Sequence, residues 1–242
     1  MINTASTGRR IERVRHESKR RDLEIKAVER VGANFVRVTL TGLELDGFIS
    51  VGFDDHLKLF IDPDANSPVK RDFTPRSYDE STQELVVEFF MHGGGAASDW
   101  ITKASLGSGA TIGGPRGSMI VPMDYDWYLL VGDETAIPAI ARRLEELPVG
   151  TKVTALVQAA DARDQRSFAT LAAADIRWVA TGDELVAAVR ALELPPGEGF
   201  AWCGTEGSDM VRIREILLNE KGHSLDHMRA SSYWRLDDMD NV

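Results

Sequence analysis

The stretch "WYLLVGDETAIPAIARRLEEL", residues 127 to 147, decides the fold. "WYLLVG" is a short apolar run of the buried-strand kind. "ETAIPAIARRLEEL" then puts Ile137, Ile140, Ala141, Leu144 and Leu147 at helical spacing. Pro138 falls within the helix's first turns, where proline is tolerated. The rhythm continues downstream. "KVTALVQA" and "IRWVA" read as strands, and "DELVAAVRAL" as a helix with Asp183 at its N-cap. "GFAWCG" is a strand, and "SDMVRIREILLNEKG" a helix that ends at Gly222. Strand alternating with helix predicts a parallel sheet covered by helices on both faces.

Upstream the pattern is different. "LEIKAVERV", "NFVRVTLTGL", "HLKLFI", "ELVVEFFMH" and "ATIGG" are short β segments separated by Gly, Pro, Asp and Asn. Such segments predict an antiparallel barrel. "MIVPMDYDW" closes this half, so the expected division is a barrel over 22–123 and an α/β domain over 124–242. Residues 1–21 are expected to be a basic leader, partly disordered. Within it, "RRIERVRHESKRR" (9–21) carries a net +5, which leaves about −15 on the remainder of a chain whose net charge is −10. A body that acidic repels phosphate backbones and argues against nucleic acid. The leader reads as a solvated segment, with an anionic membrane surface or RNA as the other possible contacts.

The 242 residues contain 43% hydrophobic and 27% charged residues, as ordinary soluble proteins do. No apolar run approaches the roughly 18 residues that a membrane span needs, and no apolar signal segment heads the chain. One cysteine, Cys203, excludes intrachain disulfides and suggests a reducing cytoplasm.

Several motifs carry possible chemistry. In "RDFT" (71–74) a planar arginine can grip phosphate oxygens, an aromatic two residues on points the same way, and a hydroxyl follows. The set suits a flavin or, equally, an ordinary strand edge. "FFMHGGGAASDWITKA" (89–104) ends a strand at His92 and starts a helix near Ala97 or Ser98 after a glycine-rich turn. Glycines allow close backbone approach, and free N–H groups at a helix start form an anion site. The plain alternative is a flexible turn. "GGPRGSM" (113–119) is a turn that could also be a ligand lip. Gly132 to Thr135 lie where strand meets helix, at the carboxyl edge that binds ligands in open α/β sheets. Cys203 and Gly204 repeat this placement, either as packing or beneath a nicotinamide. His223 and His227 have helical i, i+4 spacing, but no further ligand completes a metal site, and none is expected.

Taken in order, these pieces resemble the siderophore-interacting protein family, FAD-dependent ferric-siderophore reductases within the ferredoxin–NADP reductase-like superfamily. The resemblance runs from about residue 20 to 236. "RDFTPR" is similar to the family's Arg-x-Tyr-Thr flavin motif, with Phe73 for tyrosine. "HGGGAASDW" is similar to its His-Gly-x-Gly-Pro-Ala-Ser-x-Trp turn, with Ala96 for proline. "GDETAIPAI" follows its Gly-Asp-Glu-Thr-Ala-x-Pro-Ala segment, and "SYWR" (232–235) its Gly-Tyr-Trp-Arg, with Ser232 for glycine. One such match is cheap, but four in order are specific.

The resemblance implies an FAD-binding barrel and a second domain that receives NADH or NADPH. By carry-over, Arg71 holds the pyrophosphate, Phe73 stacks on the flavin and Thr74 bonds near its N5. His92, Gly93, Gly95, Ala97 and Ser98 cradle phosphates. Asp133, Thr135 and Ala136 lie near the flavin or the nicotinamide. Ferric siderophores are often anionic, so an acidic protein needs local cations to receive them. Lys58, Arg142 and Arg235 are the expected set, with Arg143 beside Arg142. The implied activity is reduction of Fe(III)-siderophore to release Fe(II), with reduced ferredoxin as an alternative donor. A general flavin or electron-transfer reductase and a non-catalytic siderophore carrier are the rival readings. The protein is expected to be a cytoplasmic monomer, not integral to a membrane.

Overall fold

The computed structural model of the protein describes residues 10–236. Fourteen strands are present among them. β1 (Glu12–Arg15) pairs antiparallel with β9 (Gly117–Ile120). The expected leader is therefore strand over part of its length, and residues 1–9 lie outside the described residues. Its basic side chains alternate with Ile11 and Val14, and Ile11 is buried in the core.

Seven strands form one antiparallel sheet: β2 (Arg20–Arg30), β3 (Phe35–Thr41), β4 (Leu57–Ile61), β5 (Val69–Phe73), β6 (Pro75–Asp79), β7 (Glu84–Phe90) and β8 (Gly109–Gly113). Their order is β5-β4-β8-β2-β3-β7-β6. Period-two alternation sends Leu23, Ile25, Val38, Leu59, Leu85 and Ile112 inward to one core. The edge strands β5 and β6 are consecutive in the chain, joined by Thr74 alone. The sheet must therefore curl until its two edges meet, so the expected barrel is a curled sheet. Helix α1 (Ala96–Lys103) lies against it through buried Ile101 and half-buried Trp100.

The other sheet is parallel: β10 (Trp127–Gly132), β11 (Lys152–Gln158), β12 (Ala173–Val179), β13 (Gly199–Glu206) and β14 (Met228–Trp234), in the order β12-β11-β10-β13-β14. Helix α2 (Ile137–Glu146) packs on one face through Ile137, Ile140 and Leu144. Helices α3 (Gly182–Ala191) and α4 (Gly207–Glu215) cover the other through Leu185, Val189 and Ile213. The N-cap of α3 is Thr181, whose hydroxyl accepts from the Glu184 N–H, and not Asp183 as expected. Asp183 sits one residue inside the helix, with its side chain paired to Arg212. α4 runs on into a π-helical turn over Ile216–Glu220, after which Gly222 has φ +64, the left-handed geometry of a helix stop. Order along the sheet reverses between β10 and β13, which opens a crevice at their carboxyl ends.

The two sheets share a core. Phe35, Phe53 and Met119 join α2 and the parallel sheet in one buried cluster. Arg143, 2% exposed, lies over the rings of Phe53 and Tyr128 and donates to the carbonyls of Val121 and Pro122. Buried Asp54 accepts from Trp202 Nε1 at 3.0 Å and meets Arg229 Nε at 2.6 Å. Removing Arg229 would leave the buried Asp54 charge uncompensated, a change that typically costs about 3–5 kcal/mol.

Candidate functional site

Alternation along β5 places Arg71 and Phe73 on one face and Lys70 and Asp72 on the other. Asp72 pairs with Lys58 of β4 at 2.6 Å. The Phe73 ring rests on Phe89 of β7, with centroids 4.4 Å apart, and Phe89 stacks on Trp100. Arg71 is exposed, and its guanidinium donates to the Lys70 carbonyl at 3.0 Å. Thr74 is 8% exposed.

β7 leads directly into the glycine loop. Gly93 and Gly95 have φ of 84 and 87, geometry that side chains rarely adopt. A side chain at Gly93 or Gly94 would meet nothing within 4 Å. The space above the loop is thus open, and the backbone can be approached closely. Gly95 caps α1 without a side chain, so no side-chain cap fills this helix start. His92 is exposed at the entrance, Ala97 is half-buried, and Ser98 is buried. An exposed arginine and an aromatic ring share one face of β5, the ring reaches α1 through Phe89 and Trp100, and the start of α1 is open and uncapped, so the three mark one path across the sheet. Such a path suits an elongated ligand with a flat ring at one end and phosphates at the other.

At the crevice between β10 and β13 the side chains turn inward. Gly132 has no room for one, because a Cβ there would lie 2.5 Å from that of Ala136. Asp133 is 1% exposed, and its two oxygens gather four donors. These are Thr135 N (2.9 Å), the Thr135 hydroxyl, Glu206 N (2.9 Å) and Trp234 Nε1 (2.8 Å). Burial pushes its carboxyl up, and the four donors pull the other way. Ala136 is fully buried in the core, so only its backbone faces the turn. Glu134 accepts from Ala160 N at 2.7 Å, and Glu206 caps α4 by accepting from Ser208 N and Asp209 N. This crevice is tied together by its own carboxylates.

The cations expected to meet a substrate have different placements. Lys58 is one-third exposed and bound to Asp72. Arg235 is exposed, its stem lying against the position of Gly207 at the start of α4. Arg142 is not available as a free cation. Its guanidinium donates to Glu146 (2.7 Å), to the Ser50 hydroxyl (2.8 Å) and carbonyl (2.8 Å), and to the Pro75 carbonyl (3.1 Å). Glu146 lies on its own helix, but Pro75 opens β6 and Ser50 lies in the loop before β4, so Arg142 is a strut between the two parts of the molecule. Arg143, buried over two rings, is a strut as well. His223 bonds to the His227 carbonyl and His227 to the Tyr125 hydroxyl. Among the described residues no group of three or more His, Cys, Asp or Glu gathers at metal-holding distance.

Within "SYWR", Tyr233 and Trp234 hold places that the sequence does not announce. Ser232 pairs with Thr205 and Trp234 with Glu206, which leaves Tyr233 as the extra residue of a β-bulge. Bulges beside functional sites re-aim side chains. Here Tyr233 turns its ring edge-on to Trp202 while Trp234 reaches Asp133.

Residues 24–67 and 61–119 match the siderophore-interacting FAD-binding domain, and residues 125–237 match the siderophore-interacting protein family. The NADPH-dependent ferric-chelate reductase of Escherichia coli (strain K12) is 38% identical over 251 residues, spanning 95% of this chain and 98% of that protein. This chain belongs to the siderophore-interacting protein family. The ferric vibriobactin reductase ViuB of Vibrio cholerae is 29% identical, with 85% of each chain covered. Among solved structures, a siderophore utilization protein from T. fusca has a TM-score of 0.86 at 33% identity, covering 93% of this chain and 96% of its own. A ferredoxin reductase of carbazole 1,9a-dioxygenase, 16% identical with a TM-score of 0.70 over 89% of this chain and 69% of that one, shares the fold. The family's FAD fits what is present here: the open space over Gly93 and Gly94, the start of α1 without a side-chain cap, and the exposed Arg71 guanidinium.

Proposed function

We propose that this protein is an NAD(P)H-dependent ferric-siderophore reductase that releases Fe(II) from its chelate for assimilation. The observation that carries the reading is the open glycine cradle beside Arg71 and Phe73, in a chain similar end to end to a ferric-chelate reductase. Arg71, Gly93, Gly95 and the N–H groups around Ala97 and Ser98 hold the FAD pyrophosphate, with His92 at the entrance. Phe73 and Thr74 face its ring. Bound FAD supplies the two-electron to one-electron conversion that joins a hydride donor to iron.

The chain's own groups do the rest. Phe73, backed by Phe89 and Trp100, presents a rigid apolar wall that excludes water from one face of the ring. The loss of a tyrosine hydroxyl at Phe73 keeps that wall and removes one polar contact. Asp133, Thr135 and Ala136 shape the floor of the crevice where the nicotinamide arrives. Arg235 and Lys58 supply positive charge toward an anionic chelate, with Lys58 exchanging Asp72 for the substrate. Iron(III) sits among hard oxygen ligands that hold iron(II) far less well, so reduction is the release step.

We place the division between the two domains near residue 124 and the protein, as a monomer, in the cytoplasm, with reduced ferredoxin as an alternative donor. No described helix is long and apolar enough to cross a membrane. The test is an anaerobic spectrum of the purified protein. NADH or NADPH should bleach the flavin bands. A ferric siderophore with an iron(II) trap should then restore them as iron(II) appears. A flavin that bleaches but is not reoxidised by the chelate would favour a general flavin reductase, and a colourless protein that binds siderophore would favour a carrier.

A further inference from the structure

We propose that the hollow between the β8–β9 turn and the start of β2 binds a single hydrogenphosphate ion, held by Arg21, Lys19 and His16. It shares no residue with the cofactor path and stands apart from the flavin reading. The turn is the "GGPRGSM" segment, whose Gly114 and Pro115 line the hollow. The basic strand lines it as well, and the two are tied together. Gly114 N donates to the Lys19 carbonyl at 3.1 Å, and His16 N to the Arg116 carbonyl at 2.9 Å. A volume of about 100 Å³ takes one small ion rather than a whole nucleotide or chelate.

Arg21 supplies the charge. Alternation in β2 sends it inward with Leu23 and Ile25, and it is 4% exposed. A guanidinium is not deprotonated in a protein, so a full positive charge is buried here. Its four acceptors are all backbone carbonyls: Glu44 at 2.8 Å, Gly47 at 3.2 Å, Gly114 at 3.3 Å and Lys19 at 3.4 Å. Carbonyls satisfy N–H groups but do not cancel a charge, and a buried cation ordinarily has an acid beside it. Three of the four contacts are longer than the roughly 2.7–2.9 Å of a charge-assisted bond. Burial pushes Arg21 down from its ordinary value. Glu44, the acid that pulls it back, gives one oxygen to the Asp22 N–H at 2.6 Å. An oxyanion in the hollow would supply the missing negative charge.

His16 adds selectivity. Its Nε2 lies 2.7 Å from the Ser118 hydroxyl oxygen, which lies 2.6 Å from Asp55 Oδ2. That carboxylate oxygen also receives the Ser50 hydroxyl and the Gly52 N–H, each at 3.0 Å. Ser118 has one proton and gives it to Asp55. Its oxygen therefore accepts from His16, and the proton of the neutral ring sits on Nε2. Nδ1 is left as an acceptor, with no partner among the described residues. An acceptor beside two cations suits an anion that carries a proton of its own. Hydrogenphosphate has one, and sulfate does not. Lys19 brings the second charge from the exposed rim. Glu17 also lines the hollow, 3.8 Å from the Lys19 ammonium, and is the group that the ion displaces.

The experiment is a calorimetric titration of the full-length protein with sodium phosphate and, at equal ionic strength, with sodium sulfate. It is run at about pH 8, above the ordinary range of a histidine. Phosphate should bind about threefold to tenfold tighter than sulfate, the effect of one hydrogen bond. Lys19→Gln should weaken phosphate about fivefold to tenfold by removing a charge-assisted bond. Glu17→Gln should tighten it about threefold by removing the competing carboxylate. His16→Gln, whose amide can keep the bond to Ser118, should leave phosphate and sulfate bound alike. Arg71→Ala separates this site from the glycine cradle and should leave the phosphate binding at the hollow unaltered. Arg21 is kept in place, because its loss would free four buried carbonyls and unsettle the fold. No phosphate binding, or binding that Arg71→Ala abolishes while Lys19→Gln and Glu17→Gln leave it unchanged, would overturn the site. Sulfate held by the wild type as tightly as phosphate would overturn the role of His16.

Discussion

The two ends of the proposed electron path are built in opposite ways. In the curled sheet, α1 begins at a bare glycine, the adjoining loop is open, and Arg71 is exposed. In the parallel sheet, the helix starts are filled by the protein itself. Asp133 caps the turn before α2, Thr181 caps α3, and Glu206 caps α4. An unfilled helix start offers its N–H groups and dipole to a ligand. A filled one offers stability. The difference suggests that the first region is made to retain a phosphate-bearing cofactor and the second to let a donor come and go.

This contrast makes distinct demands on mutants. Replacing Asp133 by Ala strands the buried N–H groups of Thr135, Glu206 and Trp234. Each orphaned donor costs about 1–3 kcal/mol, so stability should fall by roughly 3 kcal/mol or more, read as a large drop in chemical-denaturation midpoint. A variant of normal stability would break the claim that Asp133 is an internal brace. Arg71→Ala should do the reverse. Loss of charge-assisted bonds to phosphate should weaken FAD binding by roughly one to two orders of magnitude, while the melting temperature of the FAD-free protein stays put. Fluorescence titration with FAD gives the answer.

Gly93→Ala adds a methyl group to open space, so its penalty comes from the backbone at φ 84. The strain of about 1–2 kcal/mol should appear as roughly tenfold weaker FAD binding if the loop must hold this shape to cradle phosphates. Glu206→Ala sharpens the contrast from the other side. It removes a cap at a cost of about 1 kcal/mol. It also frees a helix start for the donor's phosphates, so KM for the nicotinamide donor should fall about threefold. A KM that rises instead would mean that Glu206 itself receives the donor.

The smallest effect concerns pH. Burial holds His223 below its ordinary value of 6.5, while its ring bonds the His227 carbonyl. Between the folded and unfolded values the unfolded chain binds more protons. Stability from this residue is therefore present above about pH 6.5 and is lost as pH falls below it. His223→Gln should flatten that part of a stability-against-pH curve and leave FAD affinity unaltered.

Local pattern made much of this legible. Helical spacing from Ile137 to Leu147 and period two in β2, β3, β4, β7 and β8 identify both sheets, because each of these elements carries its burial along its own residues, whereas the edge strand β5 is exposed almost throughout and shows no alternation. Gly222 as a helix stop is equally local. What the sequence hides is contact at a distance. β1 pairs with a strand about a hundred residues away, so a basic segment that looks like a solvated leader is in part a sheet edge. Arg142 looks like a cation free to meet a substrate, but its partners Ser50 and Pro75 lie 92 and 67 residues upstream. Tyr233 and Trp234 point to opposite tasks only because of a bulge, and no residue in "SYWR" announces one. The choice of Thr181 over Asp183 as a cap turns on a one-residue shift that composition alone does not settle.

Thr74 remains the most economical feature of the molecule. The curled sheet has a seam, and the seam is one residue wide. Because the proposed ligand lies across it, FAD would act as a clasp over a seam that the backbone itself crosses at one residue. Uptake of the cofactor should then slow amide hydrogen exchange most in β5 and β6, and least in β2 and β3 on the far side.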